Sequence, residues 1–148
     1  MPVAPDLSGR TYPPTAPYAV GREKVREFAA AVGATHPVHH DVDAAHAAGY
    51  ADVVAPPTFA IVVSQRGLDQ LLADETAGIE LSRVVHGDQR FTIERPIVAG
   101  DELQVAFGVT TVRALGANAM VSTEAKITDA AGELVATAFS SLVVGGDA

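Results

Sequence analysis

The spacing of apolar residues predicts helices in the first half of the chain. Over residues 22–32 the apolar positions recur at intervals of three and four, which is typical of a helix with one buried face. Gly33 is the expected end of this helix. Asp41 or Asp43 can cap a second, short helix over residues 44–48, so we expect a loop between two helices.

A third and longer helix is predicted to begin at Pro56-Pro57-Thr58 and to continue to about Leu72. Proline is tolerated in a first helical turn, and Thr58 is a suitable cap. The β-branched run at 61–63 would also suit a strand, and only the length of the pattern favours a helix. Because its first half is apolar on nearly every side, we expect other parts of the protein to enclose it.

The period changes to two from about Leu81 onwards, which is typical of strands. Turns are expected at 115–118 and 129–132, and strands joined by such short turns pair antiparallel. One long apolar helix followed by this meander predicts an α+β chain, in which a curved antiparallel sheet wraps the helix as in the hot-dog fold. The predicted strands are a first one ending before Pro96, then 103–109, 121–127 and Leu134–Val144.

Composition narrows the functional classes. The 148 residues suit a single domain, 1–148, and a net charge of −8 without any basic run excludes a nucleic-acid or anionic membrane surface. The absence of cysteine excludes disulfides, thiolate metal sites and a cysteine nucleophile. No signal-peptide pattern opens the chain, and no apolar run approaches the roughly 20 residues of a membrane span. We therefore expect a soluble cytoplasmic protein.

Candidate chemistry begins in the loop after Gly33, where His36, His39 and His40 fall within five residues. His39 follows Pro37 closely, so its backbone is partly fixed and its imidazole suits general acid or base catalysis. A solvated loop histidine is the plainer interpretation. The three imidazoles could also bind a metal, but their spacing matches no helical histidine pair, and we expect neither a metal nor another cofactor.

His36 and His40 are also candidate substrate-binding residues. Two further places are candidate substrate-binding sites. Free N–H groups at the helix entrance of Pro57 and Thr58 can hold an anion or polarise a carbonyl oxygen, although ordinary capping also explains Thr58. His86 and Gly87 lie in or just before a strand, where glycine often marks a bulge. A kinked strand is the plainer interpretation there.

Several segments, taken in order, resemble the MaoC-like dehydratases. This family includes (R)-specific enoyl-CoA hydratases and actinobacterial (3R)-hydroxyacyl-carrier-protein dehydratase subunits. The resemblance spans about Tyr18 to Val144 and implies a hot-dog fold that binds an acyl-CoA or acyl-carrier-protein thioester. The matching segments are 33–41, 49–50, 55–59, 90–91, 95–97 and 100–101.

The hydratase motif of that family reads Gly-Asp-x-Asn-Pro-aliphatic-His, with its Asp and His as the catalytic pair. Here Ala34 occupies the Asp position and His36 the Asn position, and a methyl group carries no proton. The resemblance therefore implies a substrate-accommodating subunit, similar to the N-terminal hot-dog type, that needs a catalytic MaoC-like partner. The positions that do match are Gly33, Pro37, Val38 and His39.

Two alternatives stay open at the level of sequence. In one, a self-sufficient homodimer uses His39 with Asp41, or with another loop histidine, as the catalytic pair. In the other, the chain binds acyl thioesters without turnover. A homodimer or a heterodimer is expected because a curved sheet leaves an edge that pairing satisfies. Positive patches for an acidic carrier or for CoA phosphates could come from two groups: Arg22, Lys24 and Arg26, or Arg83, Arg90 and Arg95.

Overall fold

The computed structural model describes residues 2–146 and confirms the three predicted helices. Helix α1 spans Arg22–Ala31, α2 spans Val42–Ala47 and α3 spans Ala60–Ala73. A single turn of 3-10 helix, Pro37–His39, precedes α2, and another, Pro57–Phe59, leads directly into α3. The predicted single domain 1–148 includes Met1, Asp147 and Ala148, which lie outside the described residues.

Five antiparallel strands form one sheet in the order β1-β3-β4-β5-β2. The central strands follow one another as a meander, and β2 returns beside β5, so β1 and β2 are the two edges. A last turn of 3-10 helix, Leu81–Arg83, occupies the start of the strand predicted from about Leu81. The strands are β1 Tyr18–Ala19, β2 Val84–Ile93, β3 Glu102–Leu115, β4 Asn118–Thr128 and β5 Leu134–Val144.

The main core lies between α3 and one face of this sheet. Strand β3 buries every second residue from Leu103 to Val109, which confirms the alternation seen in the sequence. Helix α3 turns Val63, Gly67 and Leu71 towards the strands. A curled sheet around a long helix is the hot-dog fold, as predicted.

Gly67 allows α3 to lie unusually close to β3. A methyl group built at this position would lie 2.7 Å from the Cβ of Phe107 and 2.9 Å from a methyl of Val105, which are impossible separations for carbon atoms. The residue is therefore needed for space and not for its backbone angles. It fixes the depth at which the helix sits against the sheet.

The expected enclosure of α3 is only one-sided within a single chain. The face towards the sheet is buried, whereas a flank of the helix stays partly open to solvent. The predicted enclosure was wrong for this flank, because the sheet curls around one side of the helix only. The half-buried apolar side chains of this flank are Ile61, Val62, Leu68 and Leu72.

The N-terminal segment runs along β3 and is fastened to the end of α3. Its backbone pairs with β3 through bonds such as Gly9 N–H to the Val109 oxygen, 2.9 Å. Arg10 and Tyr12 both donate to the carboxylate of Asp74, at 3.0 and 2.7 Å.

Hydrogen bonds from Thr76, Tyr12 and Arg10 hold the pKa of Asp74 well below its ordinary value. Burial, reinforced by the Asp74 contact, raises the pKa of Tyr12 to about 12.

None of the helices within residues 2–146 has both the length and the apolar character needed to cross a membrane.

The contact at Gly67 predicts a stability change. Gly67→Ala forces α3 away from Phe107, and we expect it to lower the free energy of unfolding by about 1–3 kcal/mol in urea titrations. Gly145→Ala is the matched control, because a methyl group there meets its neighbours at 3.5 Å or more. Equal stabilities of the two variants would contradict the close approach.

The Asp74 contacts predict a pH-dependent stability. Since the pKa of Asp74 is lower when folded than in the unfolded chain, its ionised form stabilises the fold above about pH 4, and this contribution is lost as the pH falls through the folded value. We expect Asp74→Asn to lower Tm at pH 7 and the difference from the unmodified chain to shrink towards pH 2. Asp69→Asn, whose partner is the neutral Gln65, is the control. A difference that stayed constant with pH would refute this role.

Candidate active site

The loop between α1 and α2 is folded by its own side chains. Gly33 ends α1 in the left-handed conformation, with φ of 71°. The Nδ1 atom of His36 accepts a hydrogen bond from the Val38 N–H and so caps the turn Pro37–His39. Asp41 then caps α2 by accepting from the Asp43 N–H at 2.9 Å, as predicted. These local bonds hold His39 at a defined place.

His39 contacts a backbone carbonyl distant in sequence. Its Nδ1 atom lies 2.5 Å from the oxygen of Val54, and Val54 in turn donates its N–H to the Val38 oxygen. Because a carbonyl oxygen only accepts hydrogen bonds, Nδ1 carries the proton and the neutral ring keeps its Nε2 lone pair free. The histidine thus has a structural bond on one side and a potential acid–base nitrogen on the other.

A cavity of about 250 Å³ lies beside this histidine. Its walls come from the turn after α1, the prolines before α3 and the end of β2. Apart from the His39 imidazole and the Tyr50 phenol, the side chains around it are apolar. Such a space suits a hydrocarbon group attached to a polar head. The wall residues include Val38, Tyr50, Pro57, Ile93, Pro96 and Ile97.

The helix entrance has few N–H donors to offer a ligand. Pro56 and Pro57 have no N–H, and the N–H of Phe59 already bonds the Pro56 oxygen at 2.9 Å. The predicted cap by Thr58 is wrong, because no side chain caps this turn and Thr58 is exposed. Pro57 lies in the cavity wall, while substrate contact by Thr58 stays a prediction.

The remaining residues of the loop are occupied by structural bonds. His40 places Nε2 2.8 Å from the Ala34 oxygen, and its own carbonyl accepts from Arg26. The rings of His36 and His40 lie 6.3 and 6.4 Å from that of His39. Within residues 2–146 no hydrogen bond connects His39 to Asp41, whose carboxylate serves α2. The catalytic pairing of these two residues stays a prediction.

His86 and Gly87 lie elsewhere, in edge strand β2. The register of β2 against β5 shifts between His86 and Asp88, so the predicted bulge is confirmed. The Nε2 atom of His86 lies 3.0 Å from the Asp88 oxygen across this bulge. His86 borders a second, much smaller cavity between α3 and the sheet. The structure therefore separates the predicted site residues into two places along α3.

Most of the candidate cations are neutralised by neighbours in the same chain. The guanidinium of Arg22 holds both oxygens of Asp52 and lowers the pKa of that carboxyl. Within residues 2–146, five of the six candidates form ion pairs, and the sixth, Arg90, stacks 4.3 Å over the ring of Phe139. A positive patch for an acidic ligand is therefore weak. The other pairs are Lys24–Glu27, Arg26–Glu23, Arg83–Glu80, and Arg95 with Asp101 and Asp129.

No metal centre is formed by the histidine loop. Across the described part of the chain, no three histidine or carboxylate side chains are arranged to hold a metal ion.

Comparison with known proteins identifies the family of this chain. Residues 6–138 match the family described as FAS1-like, dehydratase domain region. The chain belongs to this family. A UPF0336 protein of Leifsonia xyli subsp. xyli is 62% identical over 147 residues, which cover 99% of both chains.

Solved structures of family members share the architecture and confirm the resemblance to MaoC-like dehydratases. One chain of the Mycobacterium tuberculosis HadBC (3R-hydroxyacyl-ACP dehydratase) complex is 34% identical, with a TM-score of 0.82, over 93% of this chain and 97% of that one. A MaoC-like dehydratase is 35% identical with a TM-score of 0.83, over 95% of this chain. The alignment covers only 43% of that larger protein.

Sequence reasoning missed the carbonyl of Val54 and several walls of the cavity. Tyr50 and Ile97 belong to the segments that carry the family resemblance, so that resemblance was the signal that could have indicated them. No local pattern could indicate that His39 would meet a backbone oxygen fifteen residues further on.

The His39 contact predicts a tautomer. Long-range ¹H–¹⁵N spectra of the neutral ring should show the proton on Nδ1, because Val54 offers only an acceptor. His46 is the internal control, since its Nε2 lies 2.9 Å from the Ala51 oxygen and should carry the proton instead. A neutral His39 ring with its proton on Nε2 would contradict the geometry at His39.

Proposed function

We propose that this chain is the substrate-accommodating subunit of an (R)-3-hydroxyacyl-thioester dehydratase, or enoyl-thioester hydratase, of fatty-acid metabolism. A MaoC-like partner would supply the complete catalytic pair. The observation that carries the proposal is an apolar cavity whose wall, among residues 2–146, includes the imidazole of His39 and no carboxylate. Ala34 stands where the family motif has its aspartate.

The reaction sets clear chemical requirements. Dehydration needs a base for the proton beside the thioester carbonyl, an acid for the departing hydroxyl, and N–H donors for the charge on the thioester oxygen. Loss of one positioned acid or base typically lowers the rate by a factor of about 10² to 10⁴. Here the acid is replaced by Ala34, and Pro56 and Pro57 remove two donors at the helix entrance.

What the chain retains suits binding more than chemistry. The walls around His39 can surround the acyl end of a CoA or carrier-protein thioester, and the free Nε2 atom can hold a polar atom of that ligand. Because its own cations are mostly ion-paired, the phosphate end of the ligand would be bound largely by the partner.

The edge of the sheet supports a second hot-dog chain as the partner. Among residues 2–146, strand β2 pairs only with β5, so its outer backbone groups have no strand of this described part beside them. Val85 in β2 is 65% exposed, and Leu81, just before the strand, is 68% exposed. The half-open flank of α3 adds further partly exposed apolar side chains to the surface of the chain. The similar HadBC dehydratase is likewise a complex.

The decisive experiment measures hydration of crotonyl-CoA by the purified chain, alone and with a MaoC-like subunit that has both motif residues. We expect turnover by the pair well above that of the partner alone, and none by this chain alone. If the turnover of the partner did not rise when this chain was added, the proposal would be contradicted.

The other outcomes distinguish the alternatives. Turnover by the pure chain that disappears in His39→Ala would establish the self-sufficient homodimer. Binding of acyl-CoA without turnover in any mixture would establish the non-catalytic binding module.

A further inference from the structure

A second, smaller cavity lies further along α3 than the His39 cavity. The His39 cavity ends at Pro57 and Ile93, and the second cavity starts about one helical turn further on, at Ile61. On the sheet side, Ile93 pairs with Ala136, and the next inward-facing pair is Phe91 with Ala138, which lines the second cavity. The two spaces therefore lie one after the other along α3, on the side that faces the sheet. An acyl group that extended along α3 from the first space would enter the second, and we call this route the passage.

Beyond Ile93 this route has little room. The second cavity has a volume of only about 10 Å³, which is room for one water molecule and not for a hydrocarbon chain. Leu68 and Phe107 line it, and Phe107 is held in place by its contact with α3 at Gly67. The close helix–strand contact therefore also limits the passage.

The far end is polar as well as narrow. Ser64 and Thr123 are 6% and 3% exposed, and both face this space. Ser140 donates to the side-chain oxygen of Gln89, and Gln65 and His86 complete the lining. Methylene groups pushed into this end would keep these polar side chains from water without offering them a hydrogen bond, which is unfavourable.

We infer that the acyl group accommodated by this chain is short, of the butanoyl or hexanoyl class, because Leu68, Phe107 and the polar side chains beyond them close the passage past His39. This deepens the proposed function and rests on it. The acyl end lies against Ile93 and Phe91, and Leu68 acts as the residue that determines chain length.

The test compares acyl lengths on the complex of this chain with its MaoC-like partner. We expect kcat/KM for hydration to fall at least about tenfold from crotonyl-CoA to trans-2-decenoyl-CoA, whereas an open passage would gain about fourfold in affinity for each further buried methylene. Calorimetric titration with butanoyl-CoA and decanoyl-CoA measures the same preference without turnover. A flat or rising dependence on length in both measurements would overturn the inference.

Two variants locate the end of the passage. Leu68→Ala shortens the wall, and we expect it to raise the ratio of kcat/KM for decenoyl-CoA to kcat/KM for crotonyl-CoA about fivefold or more. Leu72→Ala, half-buried on the same helix but outside both cavities, should leave the ratio unchanged. An unchanged ratio in folded Leu68→Ala would refute the role of Leu68.

The two proposals fail separately. Absence of hydration at every acyl length would refute the proposed function. Tighter binding of decanoyl-CoA than of butanoyl-CoA would refute the inferred chain length.

Discussion

The close contact of α3 with β3 at Gly67 is the constraint on which the rest of the structure depends. Only a hydrogen atom fits between the helix backbone and the side chain of Phe107, so the helix sits deep in the curl of the sheet. The prolines before α3 and the end of β2 form walls of the His39 cavity. Phe107, which meets the helix at Gly67, also lines the second, smaller cavity. One glycine thereby fixes the position of the helix that borders both spaces.

The groups missing from the site all concern the movement of protons or the stabilisation of charge. Ala34 stands where the family motif has an aspartate, and the two prolines before α3 have no N–H to donate. Most of the candidate cations form ion pairs within the chain. The surfaces that would surround a hydrocarbon are intact. A chain that keeps shape and loses charge-handling groups is understandable if another subunit supplies them, since a substrate must still be enclosed on every side for catalysis.

Much of the fold could be predicted from the sequence, and much less of the site. The periodic patterns predicted the bounds of α1 to within one residue and both ends of β5. They could do so because the spacing of apolar residues depends directly on which face of an element is buried. The prediction that Thr58 caps α3 was wrong because capping rules assume a regular start of an α-helix. In this chain the 3-10 turn Pro57–Phe59 takes the place of that start. The contacts of Gly67 and of His39 with Val54 join residues far apart in sequence, and such contacts leave no local pattern.

The central claim, that this chain binds the acyl group while its partner moves the protons, is tested most directly in the assembled complex. Steady-state hydration of crotonyl-CoA should be compared between His39→Ala in this chain and alanine at the motif histidine of the partner. The account predicts a loss in kcat of less than about tenfold for His39→Ala and of about 10² to 10⁴ for the partner variant. A loss of that larger size from His39→Ala, with the partner variant fully active, would contradict it.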